Sequence, residues 1–198
     1  MGSISERYDA AYLLASRLHR GQTRKSSRGV SAPYLSHLLR VSGLTYEYGA
    51  DEDVAIAALL HDAVEDCGGL TTLELIRAEF GDAVAGYVRE TSDSLASDPQ
   101  RKAPWRERKE AYVARLASAS DGAVLISACD KIDNARSFSR ELLLAEDRAS
   151  FMSRFHAGAA DLEWYYRAVL AGVRRRNELV AVELEYEVDR LIPLLWVK

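Results

Sequence analysis

The sequence has few cysteines, no excess of basic residues and no long apolar run. Its two cysteines, Cys67 and Cys129, form no CxxC pair, which argues against a disulfide framework and favours a reducing compartment. The net charge of -4 argues against a general nucleic-acid binder, because such domains are basic. No stretch reaches the roughly 18 apolar residues that a membrane span needs, and the N-terminus has no apolar signal-peptide core. We therefore expect a cytoplasmic protein with no nucleic-acid and no membrane partner.

Length and hydrophobic spacing predict a single all-α domain. The chain has 198 residues, of which 48% are hydrophobic and 28% charged, so residues 1–198 can form one domain with a substantial core. Apolar residues recur at helical spacing in segment after segment, and no convincing stretch alternates as a half-buried strand does. Residues 94–104 interrupt the pattern and are expected to form a surface loop. Trp164, Tyr165 and Tyr166 are expected to pack, or one tyrosine faces a cleft and stacks on a base.

One apolar stretch ends in a group of titratable residues. Residues 53–60 are almost entirely apolar, and they are followed by His61, Asp62, Glu65 and Asp66. On a continuous helix residues four apart share a face, which pairs His61 with Glu65. Charged groups removed from water cost several kcal/mol each unless they are paired or bind a metal ion. The stretch predicts either a divalent-metal site with a carboxylate base beside it, or a helix end that reaches the solvent.

A second apolar stretch ends in the same way. Residues 123–129 are apolar or small and lead to Asp130, Asp133 and Asn134. His37 lies beside an apolar helical stripe, where a histidine is more often a core residue than a ligand. The residues that would form a shared site are His37, His61, Asp62 and Asp130. Two imidazoles and two carboxylates suit Mn²⁺, Fe²⁺ or Zn²⁺. Spacing alone leaves their convergence open, because adjacent helical positions point about 100° apart.

A basic loop precedes the segment that carries His37. Residues 22–33 show no hydrophobic periodicity and include Arg24, Lys25 and Arg28. A charged loop is usually solvated, but this one lies close to the next candidate ligand in the chain. It is therefore also a candidate cradle for an anion.

Together these segments resemble the HD-domain metal-dependent phosphohydrolases, and among them the hydrolase domain of the RelA/SpoT alarmone enzymes and their small stand-alone relatives. The matching segments are His19-Arg-Gly-Gln-Thr-Arg24-Lys25-Ser, Pro33-Tyr-Leu-Ser-His37, Ala58-Leu-Leu-His61-Asp62-Ala-Val-Glu65-Asp66, Phe80-Gly81 with Thr91-Ser-Asp93, and Asp130-Lys-Ile-Asp133-Asn134. They fall in the family's order within residues 8–140, and residues 141–198 match only in being helical and aromatic. The resemblance implies an HD-domain helical bundle.

The resemblance also implies a role for each matching residue. The metal ligands would be His37, His61, Asp62 and Asp130. The catalytic acids would be Glu65 and Asp66. The substrate-binding residues would be Arg24 and Lys25 for the phosphates and Asn134 for the nucleotide. The implied cofactor is a divalent metal, with Mn²⁺ preferred and Fe²⁺ or Zn²⁺ as alternatives.

Two positions depart from the family pattern. Asp133 stands where the family often has a histidine, and Ser127 stands where it has a lysine. Both are expected near the base or the ribose of a nucleotide. These departures leave the preference for guanine or adenine open.

The function implied is that of a hydrolase acting on a small-molecule nucleotide. It would remove the 3′-pyrophosphate from alarmones of the (p)ppGpp or (p)ppApp type, giving nucleotide and pyrophosphate. One alternative is an HD-type phosphatase acting on a 5′-nucleotide or on the 2′-phosphate of NADPH. Another is a non-catalytic nucleotide-binding regulator, although a binder has no need of the carboxylates Glu65 and Asp66. The oligomeric state stays open.

Overall fold

The computed structural model describes residues 4–95 and 103–196, and its regular structure is helical. The helices are α1 (Glu6–Leu18), α2 (Leu35–Glu47), α3 (Glu52–Leu60), α4 (Ala63–Cys67), α5 (Leu70–Thr91), α6 (Trp105–Leu116), α7 (Asp121–Leu144), α8 (Arg148–Met152), α9 (Ala159–Arg174) and α10 (Glu178–Leu195). Within the described ranges the β pairing is limited to an isolated bridge between Thr23 and Pro33. The all-α prediction is confirmed. Most of the loop expected over residues 94–104 lies outside the described residues.

Helix α3 forms the centre of the bundle because it is apolar on every side. Every residue from Val54 to Leu60 is buried, and α1, α2, α5 and α7 pack around the helix. Asp51 caps its first turn by accepting a hydrogen bond from the Val54 amide at 3.0 Å, which satisfies an amide that has no partner within the helix. Among the described helices, none has both the length and the apolar character to cross a bilayer.

Helix α7 is the long wall against which the other elements of the site assemble. It packs against α2, α3, α5, α9 and α10, and most of its side chains are buried. Ser120 caps the helix, since its Oγ accepts a hydrogen bond from the Ala123 amide at 3.3 Å and donates one to Glu90 on α5 at 2.5 Å. The cap therefore ties the start of α7 to a neighbouring helix.

The helix predicted through residues 53–66 is divided in the structure. Helix α3 ends at Leu60, and His61 and Asp62 form a turn before α4 begins. His61 Nδ1 donates a hydrogen bond to the Ala58 carbonyl at 2.8 Å. That carbonyl is the acceptor that the Asp62 amide would use in a continuous helix. The prediction of one unbroken helix is therefore wrong at this turn, which lies at the candidate site.

Candidate active site

Four predicted metal ligands converge from three parts of the fold. His37 comes from α2, His61 and Asp62 from the turn after α3, and Asp130 from α7. His37 Nε2 lies 3.2 Å from Asp130 Oδ1 and 3.6 Å from Asp62 Oδ2. His61 Nε2 lies 3.1 Å from Asp62 Oδ2 and 3.6 Å from Asp130 Oδ1. Spacing in the sequence could not establish this convergence, and the structure does.

The two imidazoles are arranged to bind a cation through Nε2. The Nδ1 atom of His61 donates to a backbone carbonyl, and His37 Nδ1 lies 2.6 Å from Asp133 Oδ2. Because Nδ1 carries the proton in both rings, each neutral Nε2 presents a lone pair. Both Nε2 atoms are buried and lack a hydrogen-bond partner. Potential ligand atoms of His37, His61 and Asp62 all lie within 4.8 Å of one another, so the donor set fits a divalent metal.

The charge around these rings also favours a cation. Burial lowers the pKa of His37, but the three surrounding carboxylates outweigh burial and raise it to about 9. Burial likewise lowers the pKa of His61, and Asp62 and Asp130 raise it well above its usual value. The cluster thus has too much negative charge to hold both imidazoles neutral without a positive partner. A divalent ion supplies that charge and would displace the protons.

Asp133 lies behind His37 instead of beside a nucleotide. Its Oδ2 accepts the His37 hydrogen bond, and both of its oxygens contact the Arg40 guanidinium. Burial raises the pKa of Asp133, but His37 and Arg40 lower it to about 2. The expectation that this departure lies near the base or ribose is therefore wrong. A carboxylate in this place fixes the tautomer and the orientation of His37, as outer partners of ligand histidines do.

The two predicted catalytic acids lie on the short helix α4. Burial raises the pKa of Glu65, the nearby Asp93 carboxylate raises it further, and it reaches about 7 despite the Lys109 ammonium. Asp93 Oδ2 contacts Arg108 at 2.5 Å and Lys109 at 2.6 Å. Arg108 also reaches Glu65 Oε1 at 3.4 Å. Glu65 is therefore embedded in a network of charged groups from α5, α6 and α7, of which the sequence analysis recognised only Asp93, and that only as part of a motif.

A small cavity connects this network to the candidate ligands. It has a volume of about 40 Å³ and is lined by His61, Asp62, Glu65, Asp93, Lys109, Asp130 and Lys131, among others. The Lys131 ammonium contacts Asp130. Ser127, the second departure from the family pattern, also lines the cavity and accepts a hydrogen bond from Tyr112 Oη at 2.7 Å. Ser127 therefore lies beside the candidate ligands, not at a base site, and two lysines on other positions bring positive charge to this cavity.

A larger cavity, the nucleotide-sized cavity below, contains all three predicted substrate-binding residues. Its volume is about 300 Å³, and its lining comprises Thr23, Arg24, Lys25, Tyr34, Asn134, Ser137, Phe138, Glu141, Phe151, Phe155, Leu162 and Tyr166. Of the C-terminal aromatic group, Tyr165 and Tyr166 are buried and Tyr166 reaches this lining. Both alternatives for that group therefore hold in part.

Two side chains join the nucleotide-sized cavity to the candidate ligands. The Asn134 carbonyl oxygen accepts a hydrogen bond from Arg24 Nη1 at 2.9 Å, and its amide nitrogen donates to Asp130. Tyr34 Oη donates to Asp62 Oδ2 at 2.6 Å. Sequence reasoning missed Tyr34, because a tyrosine in a loop carries no signal of its own. A molecule in this cavity would therefore lie directly beside the four candidate ligands.

Lys25 and His19 have surroundings that the sequence did not reveal. The Lys25 ammonium donates to the Arg154 carbonyl at 2.6 Å and lies 4.1 Å from the centre of the Phe155 ring. Burial, with the nearby Arg154 charge, lowers the pKa of Lys25. His19 is buried and stacks on Tyr34, with ring centres 5.2 Å apart. The loop that carries Arg24 and Lys25 is thus held in place at both ends.

Comparison with known sequences relates most of the chain to one family. Residues 11–151 match the HD domain family. The chain is 38% identical over 120 residues to guanosine-3′,5′-bis(diphosphate) 3′-pyrophosphohydrolase MESH1 of Drosophila melanogaster, and the match spans 60% of this chain and 62% of that protein. It is 34% identical over 139 residues to MESH1 of Xenopus tropicalis, where the match spans 67% of this chain and 72% of the relative.

Solved structures extend the similarity to nearly the whole chain. A metazoan ortholog of SpoT, described as hydrolysing ppGpp, aligns with a TM-score of 0.75 at 27% identity, over 96% of this chain and 98% of that one. A protein of Listeria monocytogenes aligns with a TM-score of 0.64 at 26% identity, over 79% of this chain and 99% of that one. The helices beyond residue 151 therefore also have counterparts in the first of these structures.

Proposed function

Because this chain belongs to the HD domain family, we propose that it is a metal-dependent hydrolase that removes the 3′-pyrophosphate from alarmone nucleotides. The observation that carries the proposal is the junction at Asn134, where a cavity lined by cations and aromatic rings adjoins a cluster of metal-ligand type. Relatives that share this family are named as ppGpp 3′-pyrophosphohydrolases. The products would be the nucleotide and inorganic pyrophosphate.

The proposed ligands are His37, His61, Asp62 and Asp130. A mixture of imidazole and carboxylate donors suits Mn²⁺ best among the candidates, with Fe²⁺ and Zn²⁺ as alternatives. When bound, such an ion polarises a phosphoryl oxygen and makes water a stronger nucleophile near neutral pH. Asp133 would hold His37 in the orientation that binding needs.

The remaining steps belong to side chains of this chain. With a pKa of about 7, Glu65 is suited to accept a proton from the attacking water near neutral pH. Asp66, the next residue on α4, would assist it or brace the site. Arg24 and Lys25 would neutralise phosphate oxygens, whose charge otherwise repels an incoming nucleophile. Asn134 would hold Arg24 at the edge of the cavity that lies nearest to Asp130.

The test is the identity of the first product. The Mn²⁺-loaded protein is incubated with ppGpp, ppApp, a 5′-monophosphate or NADPH, and early time points are resolved by anion exchange. We expect intact pyrophosphate as the first anion released from the 3′-pyrophosphorylated substrates. Orthophosphate as the first product, or faster turnover of the 5′-monophosphate or NADPH, would replace the proposal with a general phosphatase. Binding without any turnover would leave a nucleotide-binding regulator.

A substitution in the basic loop makes the same test specific. Arg24→Ala should lower kcat/KM for the 3′-pyrophosphorylated nucleotide about 10- to 100-fold, since hydrogen bonds to charged groups are worth about 1.5–3 kcal/mol. The loss on a 5′-monophosphate should be much smaller. Arg20→Ala is the matched control, because Arg20 is exposed and outside the cavity lining. Equal losses on both substrates would show that Arg24 does not read the pyrophosphate.

A further inference from the structure

The nucleotide-sized cavity extends along one face of α7, away from the candidate ligands. Asp130, Asn134, Phe138 and Glu141 follow one another at intervals of four, four and three residues, which places them on one face of the helix. Asp130 contacts the imidazoles, whereas Asn134, Phe138 and Glu141 line the cavity. Glu141 lies about 16 Å along the helix axis from Asp130, at 1.5 Å per residue. A nucleotide whose phosphates meet the metal ligands would therefore direct its base toward Glu141.

The far part of this cavity is built for a flat ring. Phe138 and Phe155 stack on each other with centres 4.6 Å apart, and Phe151 meets both rings edge to face. Tyr166 completes the aromatic lining. Aromatic side chains bind nucleobases by stacking, and stacking accepts every base because each has a π-face. Selection among bases must therefore come from a polar group at the edge of the ring.

Glu141 is a charged group in this part of the lining. Its side chain is 4% exposed, and its Oε2 accepts hydrogen bonds from the Ser27 amide and hydroxyl at 2.8 and 2.9 Å. Its Oε1 has only longer contacts, to Arg140 at 3.5 Å and to Arg28 at 3.6 Å. Both arginine side chains are half exposed, so these contacts can yield. Oε1 therefore retains capacity to accept hydrogen bonds inside the cavity.

Building on the proposed function, we propose that Glu141 selects guanine over adenine. Guanine presents two adjacent donors, N1–H and the 2-amino group, whereas the corresponding edge of adenine presents N1 as an acceptor. A carboxylate can only accept hydrogen bonds. Guanine would satisfy Glu141, while adenine would place one acceptor against another and leave a buried carboxylate oxygen without a partner. Sites that bind through a buried polar group reject analogues that lack its partner.

The test measures binding, so that it does not depend on turnover. GDP, IDP and ADP are titrated by calorimetry into the protein under identical conditions. Because an unmatched polar edge costs about 1.5–3 kcal/mol, GDP should bind about 10- to 100-fold more tightly than ADP. IDP keeps N1–H but lacks the 2-amino group, and should fall between them. Equal affinities for GDP and ADP, or tighter binding of ADP, would overturn the inference without any variant.

Glu141→Gln assigns the preference to this residue. An amide both donates and accepts, so the variant should bind GDP and ADP within about threefold of each other while Ser27 keeps an acceptor. Glu146→Gln is the matched control, because Glu146 is exposed and outside the cavity lining. Circular dichroism checks that both variants fold. A folded Glu141→Gln variant that keeps the full preference for GDP would show that another group selects the base.

The two proposals fail separately. If GDP is preferred through Glu141 but no 3′-pyrophosphorylated nucleotide is hydrolysed, the base selection stands and the proposed reaction does not. If ppGpp and ppApp are hydrolysed with equal kcat/KM and GDP and ADP bind equally, the reaction stands and the role of Glu141 is overturned. In the wild-type enzyme the preference for guanine should appear mainly in KM, because Glu141 lies three helical turns from Asp130.

Discussion

Glu65 shows how a single side chain gains its chemistry from distant parts of the chain. Its carboxyl is buried, and its pKa of about 7 depends on Asp93 as well as on burial. Asp93 is in turn bound by Arg108 and Lys109 from α6. The charge state of a residue on α4 is therefore set by residues that follow it by 28 or more positions.

Glu65→Gln separates catalysis from metal binding. The amide has nearly the same shape but cannot take a proton, so kcat should fall about 10²- to 10⁴-fold, the usual contribution of a general base. Metal content, measured by elemental analysis, should be unchanged, because Glu65 is not among the proposed ligands. A variant with the kcat of the parent enzyme would reduce Glu65 to a structural role.

Single residues also mark the limit of what the sequence could predict. The residue types at His37, His61, Asp62 and Asp130 suggested a metal site, and the resemblance to a family supplied the grouping. Their convergence depends on how α2, α3 and α7 pack, which no local pattern contains. The role of Asp133 was misjudged for the same reason. Its partner is His37, 96 positions earlier in the chain.

At the scale of one element, α7 combines structural and functional duties. Its buried face carries Asp130, and the cavity residues Asn134, Phe138 and Glu141 follow on the same helix. Its existence and approximate start followed from the apolar run after Asp121. The break between α3 and α4 could not be predicted, because it depends on a hydrogen bond from the His61 side chain to a backbone carbonyl.

Ser120→Ala tests how firmly α7 is anchored. The substitution removes the cap to the Ala123 amide and the hydrogen bond to Glu90, so the free energy of unfolding should fall by about 1–2 kcal/mol. Urea denaturation followed by circular dichroism measures the change. Ser118→Ala is a suitable comparison, because the exposed Ser118 hydroxyl makes only a local bond to the Arg115 carbonyl. Equal stability of the two variants would mean that the Ser120 cap contributes nothing.

At the scale of the whole molecule, the candidate ligands connect three separate segments of the chain around a charge cluster that favours a cation. A metal that binds only the folded state stabilises it by about 2.7 kcal/mol at a concentration 100 times its dissociation constant. The burial of His37 and His61 makes this contribution available to the entire bundle. The metal should therefore act as a folding ligand as well as a cofactor.

Removal of the metal should accordingly lower the melting temperature. For a chain of this size a loss of about 2.7 kcal/mol corresponds to roughly 5–10 °C, and calorimetry with and without a chelator measures it. Asp130→Ala should abolish the difference between the two conditions, because it removes a proposed ligand. Asp189→Ala, at an exposed position, should retain it. A chelator effect that persists in full in Asp130→Ala would contradict the assignment of that ligand.

The double contact of Asn134 has a thermodynamic consequence. One amide group touches both Arg24, at the cavity, and Asp130, at the proposed ion. An ion that draws Asp130 toward itself would shift the amide, and a nucleotide that draws Arg24 away would release it. Occupancy of the two sites is then linked, and linkage is reciprocal. Whatever factor the ion contributes to nucleotide affinity, the nucleotide must return to the affinity for the ion.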